Sequence, residues 1–160
     1  MRIAKYLCLC AGLMALSPAH AEPIAAKDRA TVAHCVSAED EKGKLGGACV
    51  GVVADPCISQ ASSRDSAADD ARKCAARELV VWGERLEAAI EKASASGPPA
   101  VRPALAEAQK TWLASREKLC ALFNDLDPGA NLGGSDYCRL QETARRDLVV
   151  ERLADAVSEH

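Results

Sequence analysis

The chain has 160 residues, a formal charge of −3 and 3% aromatic residues, enough for one domain. An acidic chain with so few aromatics makes a poor nucleic-acid binder, lacking both phosphate-neutralising charge and stacking platforms. Its longest apolar run is too short to span a bilayer.

That run, Leu7 to Leu16, follows Arg2 and Lys5 and precedes Ala19-His20-Ala21. A positive start, an apolar stretch and a small-x-small site form an export signal over residues 1–21. Leu9 before Cys10 does not suit a lipid-attachment site. Cleavage after Ala21 leaves a single domain, 22–160, and moves the formal charge from −3 to −5 through loss of Arg2 and Lys5. Six of the 8 cysteines remain: Cys35, Cys49, Cys57, Cys74, Cys120 and Cys138. An even number in an exported chain reads as a disulfide framework, in a periplasmic or secreted protein.

Glu22 to Ala26 is expected to fray. Lys27 to Lys42 can form a first, weak helix, with Ala30, Ala33 and Val36 on one side. Gly43 to Gly47 ends it. Cys49 to Ala54 fits a short helix or a strand; with no partner strand in view, a helical turn is preferred, and Asp55-Pro56 turns the chain. Ser63 or Asp65 suits a helix N-cap. From Ser66 to Ala95 small and large apolar residues recur every three or four places through Ala71, Ala75, Leu79, Trp82 and Leu86, the period of an amphipathic helix. Asp69 and Asp70 in its first turn suit the helix dipole, and Gly97-Pro98-Pro99 stops it.

Pro103 suits the first position of the next helix, which runs to Leu126. Here Leu105, Ala108, Trp112, Leu119, Leu122 and Leu126 form the expected core stripe. Trp112, Arg116 and Cys120 stand one turn apart on a shared face. Asp127-Pro128-Gly129 stops the helix, and Asn131 to Gly134 is a turn-rich loop. Ser135 or Asp136 can cap the last helix, which continues to Val157. The expected fold is therefore all-α: a small antiparallel bundle of three longer helices with an irregular, disulfide-tied N-terminal section.

Sequence does not dictate disulfide pairing strictly. Geometry favours Cys120 with Cys138, one ending a helix and the other starting its antiparallel neighbour. That closure contributes about 3 kcal/mol in the loop-entropy model. Cys57 with Cys74, and Cys35 with Cys49, are the preferred remaining pairs. No C-x-x-C spacing occurs, and the mature chain holds only His34 and His160, so zinc and thiol-redox chemistry are disfavoured. No metal or other cofactor is expected. Gly134-Ser135-Asp136 is not a nucleophile elbow, and paired carboxylates such as Asp69 and Asp70 or Asp125 and Asp127 read as solvated faces and end-caps. Trp112 reads as core. Arg116 reads as a side chain laid on apolar surface and paired with an acid, or as an anchor for the Gly-rich loop or a partner.

One set of residues goes further. Ala108, Gln109, Trp112, Arg116 and Cys120, then Gly133, Gly134 and Ser135, then Cys138, Leu140, Thr143 and Arg145 resemble the pattern of the lysozyme inhibitor LprI-like family. Upstream, Cys74, Glu78, Trp82 and Leu86 fit that family's C-x-x-x-E-x-x-x-W-x-x-x-L helix, and Cys49, Gly51 and Cys57 match a segment of one branch. The resemblance covers residues 49–153. It departs where an Asp often follows the upstream Trp and a Leu-Asn pair comes a turn later; here stand Gly83 and Leu86-Glu87.

The resemblance implies an exported, non-enzymatic binding protein whose partner is a lysozyme or another protein of the cell envelope. Its partner-binding residues are then expected at the constrained end of the hairpin: Arg116, Gly133, Gly134, Ser135 and Asp136. The alternative is a structural or interaction module of the envelope that inhibits nothing.

Overall fold

The computed structural model describes residues 22–61, 66–126 and 133–159. The expected export signal, the caps Ser63 and Asp65, and the loop from 127 to 132 lie outside the described residues. Among the described residues the protein is all-α. Helix α1 spans Glu22–Asp40, a 3-10 turn spans Gly47–Cys49, and the short α2 spans Ala54–Ala61. Three longer helices follow: α3 (Ala67–Ser96), α4 (Val101–Ala121, extended by a 3-10 turn over Leu122–Asp125) and α5 (Gly134–Ser158). No helix among the described residues is long and apolar enough to cross a membrane.

Helices α3 and α5 form the most extensive packing pair. They run in the same direction: Arg85 pairs with Asp147, and two turns on Lys92 pairs with Asp155. Helix α4 runs back antiparallel to both and packs less extensively against either than they pack against each other. Trp82 lies at the centre of one cluster of buried side chains, with Val32, Val81, Leu140 and Ala144. Leu86, Ala89, Ala93, Leu105, Val150 and Ala154 form a second cluster farther along. Small alanines at these contacts let the helices approach closely but bury little area each.

The N-terminal section is more regular than expected. Glu22 to Ala26 is helical rather than frayed, and α1 ends at Asp40, two residues before the expected stop. Among the described residues its buried positions are Asp28 and Val32, not the stripe of Ala30, Ala33 and Val36. The register is set by the ion pair of Asp28 with Arg77 on α3, 2.8 Å. Helix α2 continues through Asp55-Pro56, where the sequence suggested a turn. Pro56 is tolerated in the first helical turn, where a backbone N–H has no intrahelical partner. Pro103 behaves likewise, since α4 starts at Val101 and Pro103 still falls in its first turn.

Disulfides tie this section down. Cys35 is joined to Cys49, Cys57 to Cys74, and Cys120 to Cys138. The first links α1 to the 3-10 turn, the second α2 to α3, and the third α4 to α5.

The expected stripe on α4 is the largest correction. Leu105 and Cys120 are the buried residues of that helix. Ala108 is exposed, as are Leu119 (45%), Leu122 (62%) and Leu126 (51%). Since α3 and α5 already bury one another, α4 contributes a narrow line of contacts and leaves its remaining apolar residues in solvent. Trp112 is half-buried rather than core.

Gly83 sits inside α3 with no atom near the place a Cβ would occupy. Packing therefore does not require glycine there. Gly83→Ala is expected to raise stability by about 1 kcal/mol, read as a higher urea midpoint at unchanged slope.

Candidate functional site

The Cys120–Cys138 disulfide clamps the last turn of α4 to the first turn of α5. Around it the motif residues assemble. Arg116 projects from α4 across to α5, where its Nη1 donates to Thr143 Oγ1 at 2.8 Å. Its Nε and Nη2 both donate to Glu117 Oε1, at 3.1 and 2.8 Å. The guanidinium lies 4.9 Å from the Trp112 ring centroid, a favourable cation–π distance. Arg116 is thus held by a ring, a hydroxyl and a carboxylate at once.

Glu117 passes the linkage on. Its Oε2 accepts from Arg139 Nε at 2.9 Å, and Arg139 Nη1 donates to Asp136 Oδ1 at 2.9 Å and Ser135 Oγ at 3.3 Å. The hydrogen bond from Arg116, with Arg139 adding to it, holds the Glu117 carboxyl below its ordinary range. Arg116, Ser135 and Asp136 therefore belong to one network that alternates in charge across the α4–α5 seam.

The start of α5 is built from Gly133 and Gly134, with φ of 87° and 50°. Gly133 is the N-cap, and among the described residues no side chain caps this helix. Neither Ser135 nor Asp136 has the capping role expected of it, because the N-cap is Gly133, two residues before Ser135, and both already lie within the first turn of α5. A Cβ on Gly133 would stand 2.9 Å from Tyr137 Cβ, so both conformation and space call for glycine. Ser135 is buried, at 7% exposure, whereas Asp136 is half-exposed. Phe123, Asn124, Leu126, Gly133, Gly134 and Ser135 line a small cavity of about 70 Å³ with Ala68 and Arg72 of α3. Tyr137 Oη donates to Asp55 Oδ1 at 2.6 Å. Burial, reinforced by that carboxylate, pushes the Tyr137 phenol up to about 12.

Two carboxylates elsewhere carry more of the structure than their sequence positions suggest. Glu78 is fully buried. Its Oε1 accepts from Gly51 N and Trp82 Nε1, both at 2.8 Å. Its Oε2 accepts from Val53 N at 2.8 Å and Ala54 N at 2.7 Å. One side chain of α3 thereby satisfies the backbone at the start of α2 and orients the central tryptophan. The signal was present: Cys74, Glu78 and Trp82 recur at helical spacing, a carboxylate between two core residues.

Asp147 is the second, fully buried on α5 with Arg85 Nε donating to its Oδ2 at 3.1 Å. Arg85 also reaches Glu151 Oε2 at 2.6 Å and lies over Trp82. Asp147 Oδ1 has no hydrogen-bond partner among the described residues. Sequence reasoning passed over Asp147, although it stands on the line of Leu140, Ala144 and Val150 that faces the core. No group of three His, Cys, Asp or Glu among the described residues is placed to hold a metal ion.

The geometry joins the two halves of the Trp112-to-Arg145 pattern through Arg116 and Thr143. A model of the lysozyme inhibitor LprI family matches residues 57–155. No curated protein and no solved structure gives a match. The match spans α3, α4 and α5, and with them both helical motifs and the Cys120–Cys138 clamp, and so the chain belongs to the lysozyme inhibitor LprI family.

Proposed function

We propose that residues 22–160 form one exported domain that blocks a lysozyme or another peptidoglycan hydrolase by binding over its cleft, without catalysis. The observation that carries this reading is the family match over residues 57–155. The physical chemistry agrees with it. Removal of the signal takes the formal charge from −3 to −5, which favours encounter with a basic enzyme. Three disulfides suit an oxidising compartment.

The proposed docking end is the clamped α4–α5 seam: Arg116, Gly133, Gly134, Ser135 and Asp136. Within it, Asp136 and Glu117 present charge, while the exposed Leu119, Leu122 and Leu126 supply apolar contact beside them. Arg116 and Ser135 act from behind, fixing the seam. A disulfide that holds both helix ends reduces the entropy lost on binding.

A second reading is an envelope interaction module that inhibits nothing. It is favoured by one observation: Arg139 already engages Asp136 and Ser135, so neither group is held ready for a partner. A peptidoglycan turbidity assay separates the two, using oxidised mature protein against hen-type, goose-type and invertebrate-type lysozymes. The inhibitor reading expects stoichiometric inhibition of at least one class, weakened about tenfold or more by Ser135→Ala with Asp136→Lys in a variant whose helical circular dichroism shows the fold intact. Absence of inhibition of every class would favour the second reading.

A further inference from the structure

On the flank of the bundle away from the clamp, α4 and α5 leave an open groove of about 330 Å³. Leu105 and Val150 form its buried floor. Val101, Ala104 and Ala108 of α4 and Val149 and Leu153 of α5 form its walls. Val149 is 57% exposed and Leu153 37%, so the apolar walls of the groove are open to a ligand.

Among the described residues, the one charged group lining this groove is Arg146. Its Nε donates to Gln109 Oε1 at 3.0 Å, and its guanidinium lies 5.8 Å from the Trp112 centroid. The guanidinium is therefore positioned, yet it forms no ion pair among the described residues. Arg85, Arg116 and Arg139, by contrast, each bind a carboxylate. An apolar trough ending in a fixed, unpaired guanidinium has the shape and charge of a receptor for a single-chain amphiphile with an anionic head.

We infer that the α4–α5 groove binds a medium-chain fatty carboxylate, the carboxylate on Arg146 and the acyl chain running toward Val101 and Leu153. The length agrees: from Arg146 to Leu153 the helix rises about 10 Å, which suits roughly eight to ten methylenes. A second copy of the chain is a poorer occupant, because a stable dimer buries about 1,000 Å² or more and this groove is a narrow trough between two helices.

The test uses the oxidised mature protein with ¹³C-labelled methyl groups, titrated below the critical micelle concentration with decanoate, decanol and decyltrimethylammonium. Saturable shifts of the Leu105, Val149, Val150 and Leu153 methyls are expected with decanoate. Binding should weaken about tenfold for decanol, for decyltrimethylammonium and for Arg146→Gln. Val149→Ser, at an exposed position, gives a second weakened variant that does not depend on the Arg146 contacts. Equal affinity for the cationic and anionic amphiphiles would overturn the assignment, as would the absence of saturable shifts. So would a concentration-dependent dimer that alone moves these methyls, or binding to phosphatidylglycerol vesicles with none to monomeric decanoate. Lysozyme inhibition plays no part in the readout.

Discussion

Glu78→Ala is expected to destabilise the protein by on the order of 5 kcal/mol, enough to bring a domain of ordinary stability close to unfolding. The carboxylate accepts four N–H groups: Gly51, Val53, Ala54 and the Trp82 indole. Alanine leaves all four buried or half-buried donors without their acceptor and opens a void beside Trp82. Each orphaned donor costs about 1–3 kcal/mol, with water entry setting the lower end.

Glu78→Gln tests the mechanism more finely. Each carboxylate oxygen serves two donors, and glutamine retains only one oxygen. Whichever way the amide turns, its NH₂ faces either Gly51 and Trp82 or Val53 and Ala54. Loss should therefore remain substantial, about 2–4 kcal/mol, although side-chain volume is unchanged. Urea unfolding followed by Trp fluorescence measures both. An alanine variant within 1 kcal/mol of the parent would show that α2 and the Gly51 turn do not depend on this carboxylate.

These residues also mark where sequence reading reached its limit. Period and a firm stop carried α3: the recurrence of Ala71, Ala75, Trp82 and Leu86 before Gly97-Pro98-Pro99 placed the helix to within one residue at each end. It misled on α4, where Leu119, Leu122 and Leu126 have the spacing of a core stripe and lie in solvent. A periodic pattern shows which residues share a face. It does not say how much of that face a neighbour covers, and here α3 and α5 cover each other first.

The motif around Arg116 was legible as a spacing, but its partners were not. Thr143 becomes its ligand, and Arg139 joins it at Glu117, only when α4 and α5 are antiparallel and clamped at Cys120 and Cys138. Glu78 shows the same gap: its place beside Trp82 was visible, whereas its backbone partners, Gly51 to Ala54, lie 24 to 27 residues away. The start of α5 was misassigned for a local reason. Ser135 and Asp136 are good caps by type, but the paired glycines before them adopt the positive φ that begins the helix earlier.

The second large effect is a gain of stability on mild acidification. Burial pushes the Asp147 carboxyl up from 3.8 to about 6; Arg85 opposes the shift, and Glu151 adds to it. The folded state therefore holds a proton on Asp147 at pH values where the unfolded chain has already released it. By linkage, this group's contribution is fully present below about pH 4 and is lost as pH rises through about 6. The separation of the two values corresponds to about 3 kcal/mol. Between pH 7.5 and 5 the urea midpoint should therefore rise. Below about pH 4 the trend should reverse, because Glu117, whose carboxyl is held low by Arg116, loses its stabilising charge there.

Asp147→Asn assigns the effect. The amide keeps an oxygen for Arg85, and Arg85 keeps Glu151, so the fold should survive. The variant should show little change in midpoint between pH 7.5 and 5, while retaining the fall below pH 4. An unchanged rise in the variant would move the titration to another group. A rise that disappears places it on the one buried carboxylate whose Oδ1 lacks a hydrogen bond among the described residues. It would also mean that the α3–α5 pair, the most extensive contact of the fold, is held less firmly at neutral pH than its packing allows.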